Sequence, residues 1–201
     1  MSPKSRIDEA ALLASALEEF GRHGYEDASV NAIIDRAGIS KGSFYYRFST
    51  KYELYVHLLR TGVRRKWEFI GERLDAGAGA TNLFDEFLFQ ADLGVQFALE
   101  HPEYHRLSMM FSREKGTRVY EEALRDLGQD DSAGLLPRLR AAVAGGEIRT
   151  GFSDEFLERV VPRLFMLFDQ IVFGEQEWDL ERSRERLREY VELLRHGLAA
   201  G

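Results

Sequence analysis

The chain has 201 residues, of which 44% are hydrophobic and 30% charged, values typical of a folded protein and too apolar for a disordered one. It contains no cysteine, which excludes disulfides and thiolate chemistry. No apolar run approaches the roughly 20 residues of a membrane-spanning helix, and the first residues lack the apolar core of a signal peptide. We therefore expect a cytoplasmic protein that does not contact membranes.

The charge of the chain is unevenly distributed. The net charge of -7 disfavours nucleic-acid binding only when it is averaged over the whole chain. Residues 1–66 carry eleven Lys and Arg against eight acids, and residues 67–201 carry sixteen against twenty-six. Between residues 36 and 66, eight basic residues accompany a single acid, Glu53. Only the N-terminal end is therefore expected to approach a polyanion.

Apolar residues recur at three- and four-residue spacing, without the alternation of a strand, and this predicts an all-α chain of about nine helices. The first helix is predicted to end near Gly24, a suitable left-handed cap, and to bury one stripe of residues: Ile7, Ala10, Ala14 and Leu17. Two short helices follow, capped by Ser29 and Ser40 and separated by Gly38. A capping box at Thr50 and Glu53 starts the fourth helix, near 51–75.

The remaining pattern predicts a helical body. A fifth helix covers residues 83–100 and ends at His101-Pro102. Residues 117–144 are helical in pattern but interrupted at Gly128 and Pro137, so a bent helix and a split one both fit. Two apolar helices close the chain, near 153–173 and 180–197. We predict a helix-turn-helix domain at 1–50 and a second domain at 51–201, with the fourth helix as connector.

The two short helices have the length and spacing of a helix-turn-helix, with the second as the reading helix. At 100 degrees per residue, Phe44 and Phe48 face inward. Lys41 and Lys51 stand at helix N-termini, where free N-H groups favour phosphate. The residues that could reach phosphates and base edges from this pattern are Lys41, Gly42, Ser43, Tyr45, Tyr46, Arg47 and Lys51; the caps Ser29 and Ser40 complete the candidate DNA-binding set only through the resemblance described next.

The segment FGRHGYEDASVNAIIDRAGISKGSFYYRFSTKYEL, residues 20–54, resembles the DNA-binding head of the TetR family of bacterial regulators. The resemblance implies phosphate contacts from Ser29, Tyr45, Tyr46 and Lys51, and positions near base edges for Lys41, Gly42, Ser43 and Arg47. Two positions stand out. Tyr52 follows the lysine where an acid is common, and Arg47 occupies a variable position, which makes it the candidate for operator preference.

The resemblance also implies a homodimer formed by the helices near 153–173 and 180–197. It implies a double-stranded DNA operator and a small-molecule effector that releases a repressor from it. In a bacterium the protein would then lie in the cytoplasm, associated with the nucleoid. The aromatic, Met and Gln residues that we assign to an effector pocket are Trp67, Phe87, Gln90, Met109, Met110, Phe165 and Phe168.

Several other readings of the residues are weighed against this one. His101 and His105 could ligate a metal, but Pro102 and the absence of cysteine disfavour it, so neither a metal nor a cofactor is predicted. The run Arg64-Arg65-Lys66 fits a solvated helix face better than a phosphate contact. No phosphate loop or nucleophile motif is present, so no enzyme is predicted. The alternative function is a helical ligand-binding or interaction protein without DNA-binding activity.

Overall fold

The computed structural model describes residues 3–76, 82–128, 135–149, 151–173 and 180–199, with the backbone alone for 3–8, 74–76, 162, 165–173, 180 and 181. The all-α prediction is confirmed. The helices are α1 (Pro3–Asp27), α2 (Val30–Ala37), α3 (Lys41–Arg47), α4 (Lys51–Ala76), α5 (Leu83–Glu100), α6 (Pro102–Arg113), α7 (Arg118–Leu127), α8 (Leu135–Ala144), α9 (Asp154–Phe173) and α10 (Leu180–Leu198).

The described residues form ten helices, where the sequence pattern predicts about nine for the chain. The additional helix arises because the stretch 117–144 is split. Gly128 ends α7 with a φ of 80°, a backbone conformation that residues with a side chain rarely adopt. Pro137 lies in the first turn of α8, where the missing N-H costs no helical hydrogen bond.

The buried face of α1 differs from the predicted stripe. Ala10 and Ala14 are exposed, while Leu12, Ala16 and Phe20 are completely buried. The polar residues Ser15 and Glu19 are buried beside them. The prediction is right for Leu17, which is buried, and wrong for Ala10 and Ala14, because α1 packs against both α2 and α6 and its buried arc is centred elsewhere; the side chain of Ile7 lies outside the described residues.

The chain forms two compact units. The first consists of residues 1–68 and 98–129 and contains the predicted helix-turn-helix together with α6 and α7. The second consists of residues 69–97 and 130–201. The division at residue 50 remains a prediction, and in the first unit the three N-terminal helices share their core with the start of α4 and with α6.

The second unit has its own apolar core, to which α5, α8, α9 and α10 contribute. Leu187, Val191 and Leu194 form an apolar stripe on α10 that is buried in this core. Apolar side chains left exposed on the described part of α9 and α10 include Phe156 and Leu193, which are 46% and 70% exposed. Any contact that α10 makes with another chain must therefore use a face other than this stripe.

Candidate nucleic-acid interface

The two short helices are stopped and started by the residues that the sequence indicates. The Ser29 hydroxyl accepts the Ala32 N-H at the start of α2, and Gly38 ends this helix in a left-handed conformation with a φ of 65°. The Ser40 hydroxyl then accepts the Ser43 N-H at 3.0 Å and caps α3. Since each cap satisfies a donor that the helix end would leave unpaired, the turn between the helices is closely defined.

Apolar side chains fix α3 in the first unit. Phe44 is completely buried and Phe48 is 8% exposed, as the helical wheel predicts. Ile33 and Ile34 of α2 are buried as well. With two rings facing inward, α3 cannot rotate about its axis without exposing them, so the direction of its outer face is set by burial.

The outer face of α3 is open to solvent. Tyr46 is 90% exposed and Tyr45 57%, and Lys41, Gly42 and Ser43 are exposed as well. Arg47 lies partly exposed in the last turn. These residues share one helix, so the structure brings together the part of the predicted DNA-binding set that lies between residues 41 and 47.

Gly42 is not required by the fold. A Cβ atom at this position would meet only the Ser40 hydroxyl, at 3.7 Å, an ordinary contact distance. Its backbone lies on the exposed face, so the missing side chain leaves the helix accessible to another molecule. This is the property expected where a backbone must approach a binding partner closely.

The ammonium group of Lys51 has partners inside the first unit. Its ammonium group donates to the carbonyl oxygens of Tyr25, Glu26 and Ala28 at 2.6, 3.0 and 3.1 Å, and it lies 4.5 Å from the centre of the Tyr25 ring. A lysine ammonium has three N-H donors, and all three are used here. Lys51 therefore anchors the end of α1, and its predicted phosphate contact stays a prediction.

Tyr52, the departure from the family pattern, also acts inside the first unit. Its hydroxyl donates to the Asp126 carboxylate at 2.7 Å, and Arg60 donates to the Asp126 carbonyl at 2.8 Å. Burial, followed by this hydrogen bond and nearby carboxylates, raises the pKa of Tyr52 to about 12. Tyr52 thus joins the start of α4 to the end of α7.

An ion pair between the buried Glu19 and Arg36, whose side chain is 36% exposed, supports the helix-turn-helix, and the sequence patterns did not indicate it. The Glu19 carboxylate accepts the Ser29 N-H at 3.0 Å and an Arg36 N-H at 3.2 Å, and Arg36 also donates to the Ser15 carbonyl. Burial disfavours the ionised carboxylate, but the hydrogen bonds from Ser29 and Arg36 and the neighbouring positive charges outweigh it, so the pKa of Glu19 is lowered. This pair joins α1 to both ends of α2.

Replacing Glu19 with glutamine is expected to lower the free energy of unfolding by about 2 kcal/mol at pH 7, because an amide cannot accept both hydrogen bonds or balance the Arg36 charge. A lowered folded-state pKa stabilises the fold above the unfolded-state pKa, and this stabilisation is lost as the pH falls through the folded-state value. The difference between wild type and Glu19→Gln, measured by urea denaturation, should therefore shrink below about pH 4.5.

Glu18 on the same helix provides the matched control. Its carboxylate pairs with Arg22 at 2.9 Å, lies farther from Arg36, at 3.7 Å, and is 39% exposed. Glu18→Gln should change the free energy of unfolding by less than about 1 kcal/mol. Equal losses of unfolding free energy in the two variants at pH 7 would show that the pair of Glu19 and Arg36 does not support the helix-turn-helix. A loss in Glu19→Gln that stays the same at low pH would show this as well.

The residues predicted to form an effector pocket are distributed over both units. Trp67, Met109 and Met110 belong to the first unit, and Phe87 and Gln90 belong to the second. The side chains of Phe165 and Phe168 lie outside the described residues. Phe87 packs against the core of the second unit, and Gln90 lies 3.4 Å from Glu86 on the same helix. The pocket therefore stays a prediction.

Two clefts of the second unit are lined by other residues. One, of about 310 Å³, lies between α5 and α10, where Asp92 and Arg184 form an ion pair at 2.6 Å. The other, of about 250 Å³, lies between α5 and α8 beside the ion pair of Glu86 and Arg138. Because several charged residues line each cleft, neither has the mostly apolar lining typical of an effector site.

The other polar clusters also have structural partners. In the run Arg64-Arg65-Lys66, Arg64 pairs with Glu68 at 3.8 Å and Arg65 lies over the Tyr104 ring. Within the described ranges, no three His, Asp or Glu side chains lie together as metal ligands. In the same ranges, no helix is both long and apolar enough to cross a membrane.

The N-terminal helices are the part of the chain that matches a known family. Residues 12–58 match the family model described as "Bacterial regulatory proteins, tetR family". They run from the buried face of α1 through α2 and α3 into α4, the elements that hold the exposed face of α3 in place. The N-terminal part of the chain is therefore similar to the DNA-binding region of TetR-family regulators.

Individual regulatory proteins extend this similarity beyond residues 12–58. The transcriptional activator FasR of Mycolicibacterium smegmatis is 28% identical over 141 residues, which span 67% of the chain and 64% of FasR. A TetR regulator from Chloroflexus aurantiacus has the same fold, with a TM-score of 0.72 at 20% identity, over 100% of the chain and 96% of that protein. A gamma-butyrolactone receptor described as ArpA-like has a TM-score of 0.63 at 20% identity, over 98% of the chain and 90% of the receptor.

Proposed function

We propose that this chain is a sequence-specific DNA-binding transcriptional regulator of the TetR family, whose α3 enters the major groove of an operator. The observation that supports this most directly is the exposed face of α3, on which Gly42, Ser43, Tyr45 and Tyr46 are open to solvent while Phe44 and Phe48 are buried behind them. An α-helix fits the major groove, where each base pair presents a distinct pattern of donors and acceptors.

The contacts are proposed in two groups. Tyr45, Tyr46 and Ser29 contact phosphates and set the register of the head on the duplex. Lys41, Gly42, Ser43 and Arg47 lie at base edges, where Arg47 has the donor geometry to recognise guanine. Ser40 supports this surface because its hydroxyl lies 2.9 Å from that of Ser43 and orients it. Lys51 contributes by positioning the end of α1.

The chain is proposed to act as a homodimer through α9 and α10. The exposed Phe156 and Leu193 side chains support this, since they offer apolar surface on these two helices that a partner chain could cover. A two-fold dimer would place its two α3 helices on half-sites about 34–36 Å apart, one turn of the duplex. The operator is accordingly a pseudo-palindrome.

Regulation is proposed to be repression, relieved by a small-molecule effector. An effector that binds better to a conformation with the wrong separation of the two heads would release the DNA. The fold that the chain shares with a gamma-butyrolactone receptor supports a small organic effector. The family consists of regulatory proteins, and we propose that this chain has no enzymatic activity and acts in the cytoplasm.

A mobility-shift assay tests this proposal. The purified protein should shift a pseudo-palindromic fragment taken from beside its own gene, and a scrambled fragment of the same composition should compete weakly. Raising the salt from 50 to 200 mM should reduce the affinity by about a thousandfold, as expected when several phosphates are neutralised.

Measuring transcription from the same fragment distinguishes repression from activation. Repression predicts less transcript when protein is added, whereas an activator, as FasR is named, would give more. The absence of any shift at low salt across this region would contradict DNA binding and favour the alternative of a helical ligand-binding or interaction protein.

A further inference from the structure

One carboxylate, that of Glu114, joins three helices of the first unit. Glu114 caps the C-terminal end of α6, and its side chain accepts the backbone N-H of Tyr25 at the end of α1. Its second oxygen accepts the Tyr55 hydroxyl of α4 at 2.6 Å. Tyr55 is completely buried, so this hydrogen bond lies inside the unit. The carboxylate therefore connects the end of α1 to α4 and α6.

The backbone of α1 is shaped to receive this carboxylate. Gly24 has a φ of 72° and a ψ of -176°, a break within the helix that turns the following N-H away from the helical direction. A Cβ atom at Gly24 would lie 2.8 Å from the Glu114 Oε1 atom, too close for a real contact. Gly24 is thus needed both for its backbone conformation and for the space that Glu114 occupies.

The helix that carries Glu114 lies close to the helices of the head. A Cβ atom on Gly21 of α1 would be 3.3 Å from Arg106, and one on Gly62 of α4 would be 3.0 Å from the Tyr104 ring. Tyr104 and Leu107 of α6 are buried at these contacts. Small residues on two helices thus admit α6, and its end is then tied to them by Glu114.

The segment that Glu114 holds leads directly into the DNA-binding surface. Tyr25 is four residues before Ser29, the cap of α2, and the carbonyls of Tyr25, Glu26 and Ala28 are held by Lys51. Two side chains of opposite charge therefore hold this turn: Glu114 accepts a backbone N-H, and Lys51 donates to backbone carbonyls. Loss of either would release the turn that fixes where α2, and α3 behind it, begin.

We propose that Glu114 is a positioning residue for operator binding, although it lies 67 residues beyond Arg47 and outside the matched family segment at 12–58. By holding the Tyr25 N-H and the Tyr55 hydroxyl, it fixes the direction of the α1–α2 turn relative to α4. The complete DNA-binding head thus includes α6. This inference rests on the proposed function, because positioning is meaningful only if the head binds DNA.

The change of charge at residue 114 distinguishes a positioning role from an electrostatic effect on operator affinity. Removing a negative charge from a DNA-binding protein strengthens binding when only electrostatics act, since phosphates repel carboxylates. Glu114→Gln removes one negative charge, but its amide can no longer accept from both donors equally. A positioning role therefore predicts weaker operator binding, the opposite of the electrostatic expectation.

The experiment compares the full-length wild type with Glu114→Gln, Tyr55→Phe and Glu121→Gln by fluorescence anisotropy on the operator fragment. We expect Glu114→Gln to raise Kd about tenfold, a change of about 1.4 kcal/mol, and Tyr55→Phe, which keeps one of the two hydrogen bonds, to raise it less. Glu121→Gln, an exposed acid on α7, makes the same charge change and should leave Kd equal or lower.

Hydrogen exchange read by mass spectrometry is the second measurement, and it does not depend on DNA. Exchange of residues 24–30 should accelerate in Glu114→Gln while the cores of α4 and α9 stay protected. Unchanged exchange in this segment, or a Kd that falls as in Glu121→Gln, would overturn the inference. If wild type itself binds no operator, the proposed function fails, whereas the exchange result still decides whether Glu114 holds the turn.

Discussion

Replacing Tyr46 with alanine is expected to weaken operator binding by about a hundredfold without changing the stability of the protein. The side chain is 90% exposed, so its removal leaves no cavity and no unpaired buried group. A hydrogen bond to a charged phosphate contributes about 1.5 kcal/mol, and a two-fold dimer loses it twice. The dissociation constant can be measured by anisotropy, and the free energy of unfolding by guanidinium denaturation.

Tyr46→Phe is the matched variant, because it keeps the ring and removes only the hydroxyl. It should lose most of the same affinity if the hydroxyl donates to a phosphate, and little if the ring packs on the sugar. Wild-type affinity in Tyr46→Ala would mean that the exposed face of α3 does not contact the operator.

Replacing Phe44 with alanine should lower the free energy of unfolding by about 3–5 kcal/mol. The ring is completely buried, lies 6.3 Å from the Phe48 ring and is the residue of α3 that is most enclosed by the first unit. A loss of this size is a large part of the stability of an ordinary domain. Guanidinium denaturation followed by circular dichroism measures it.

The alanine variants of these two aromatic residues should distinguish effects on operator affinity from effects on stability. Tyr46→Ala and Phe44→Ala change neighbouring residues of one short helix, yet the first is expected to affect affinity alone and the second mainly stability. If Phe44→Ala loses less than about 1 kcal/mol, α3 is not anchored as the structure indicates. Its outer face would then have no fixed direction.

Local signals in the sequence were sufficient for most of the head. Ser29 and Ser40 cap their helices, Gly38 has the left-handed conformation, and Phe44 and Phe48 face inward as the helical wheel predicts. These features depend on a few neighbouring residues, so periodicity and capping preferences determine them. The exposed face of α3 follows from the same periodicity.

Contacts between distant residues could not be predicted in this way. The acceptors of Lys51, the ion pair of Glu19 and the two donors to Glu114 involve partners 10 to 89 residues away, and no local pattern indicates them. The position of the buried arc of α1 has the same origin, because a second packing partner changes which residues are covered. Gly24 was the one local signal, because it predicted the break in α1. It did not indicate that Glu114 occupies the space beside it.

The most direct test of the central claim, that a pair of α3 helices binds the operator, is a hydroxyl-radical footprint on the shifted fragment. The account predicts two protected regions on one face of the duplex, with centres about 10–10.5 base pairs apart or a multiple of that spacing. Both should disappear with Tyr46→Ala at a protein concentration that protects the DNA in wild type. A single protected region, or protection that Tyr46→Ala leaves unchanged, would contradict it.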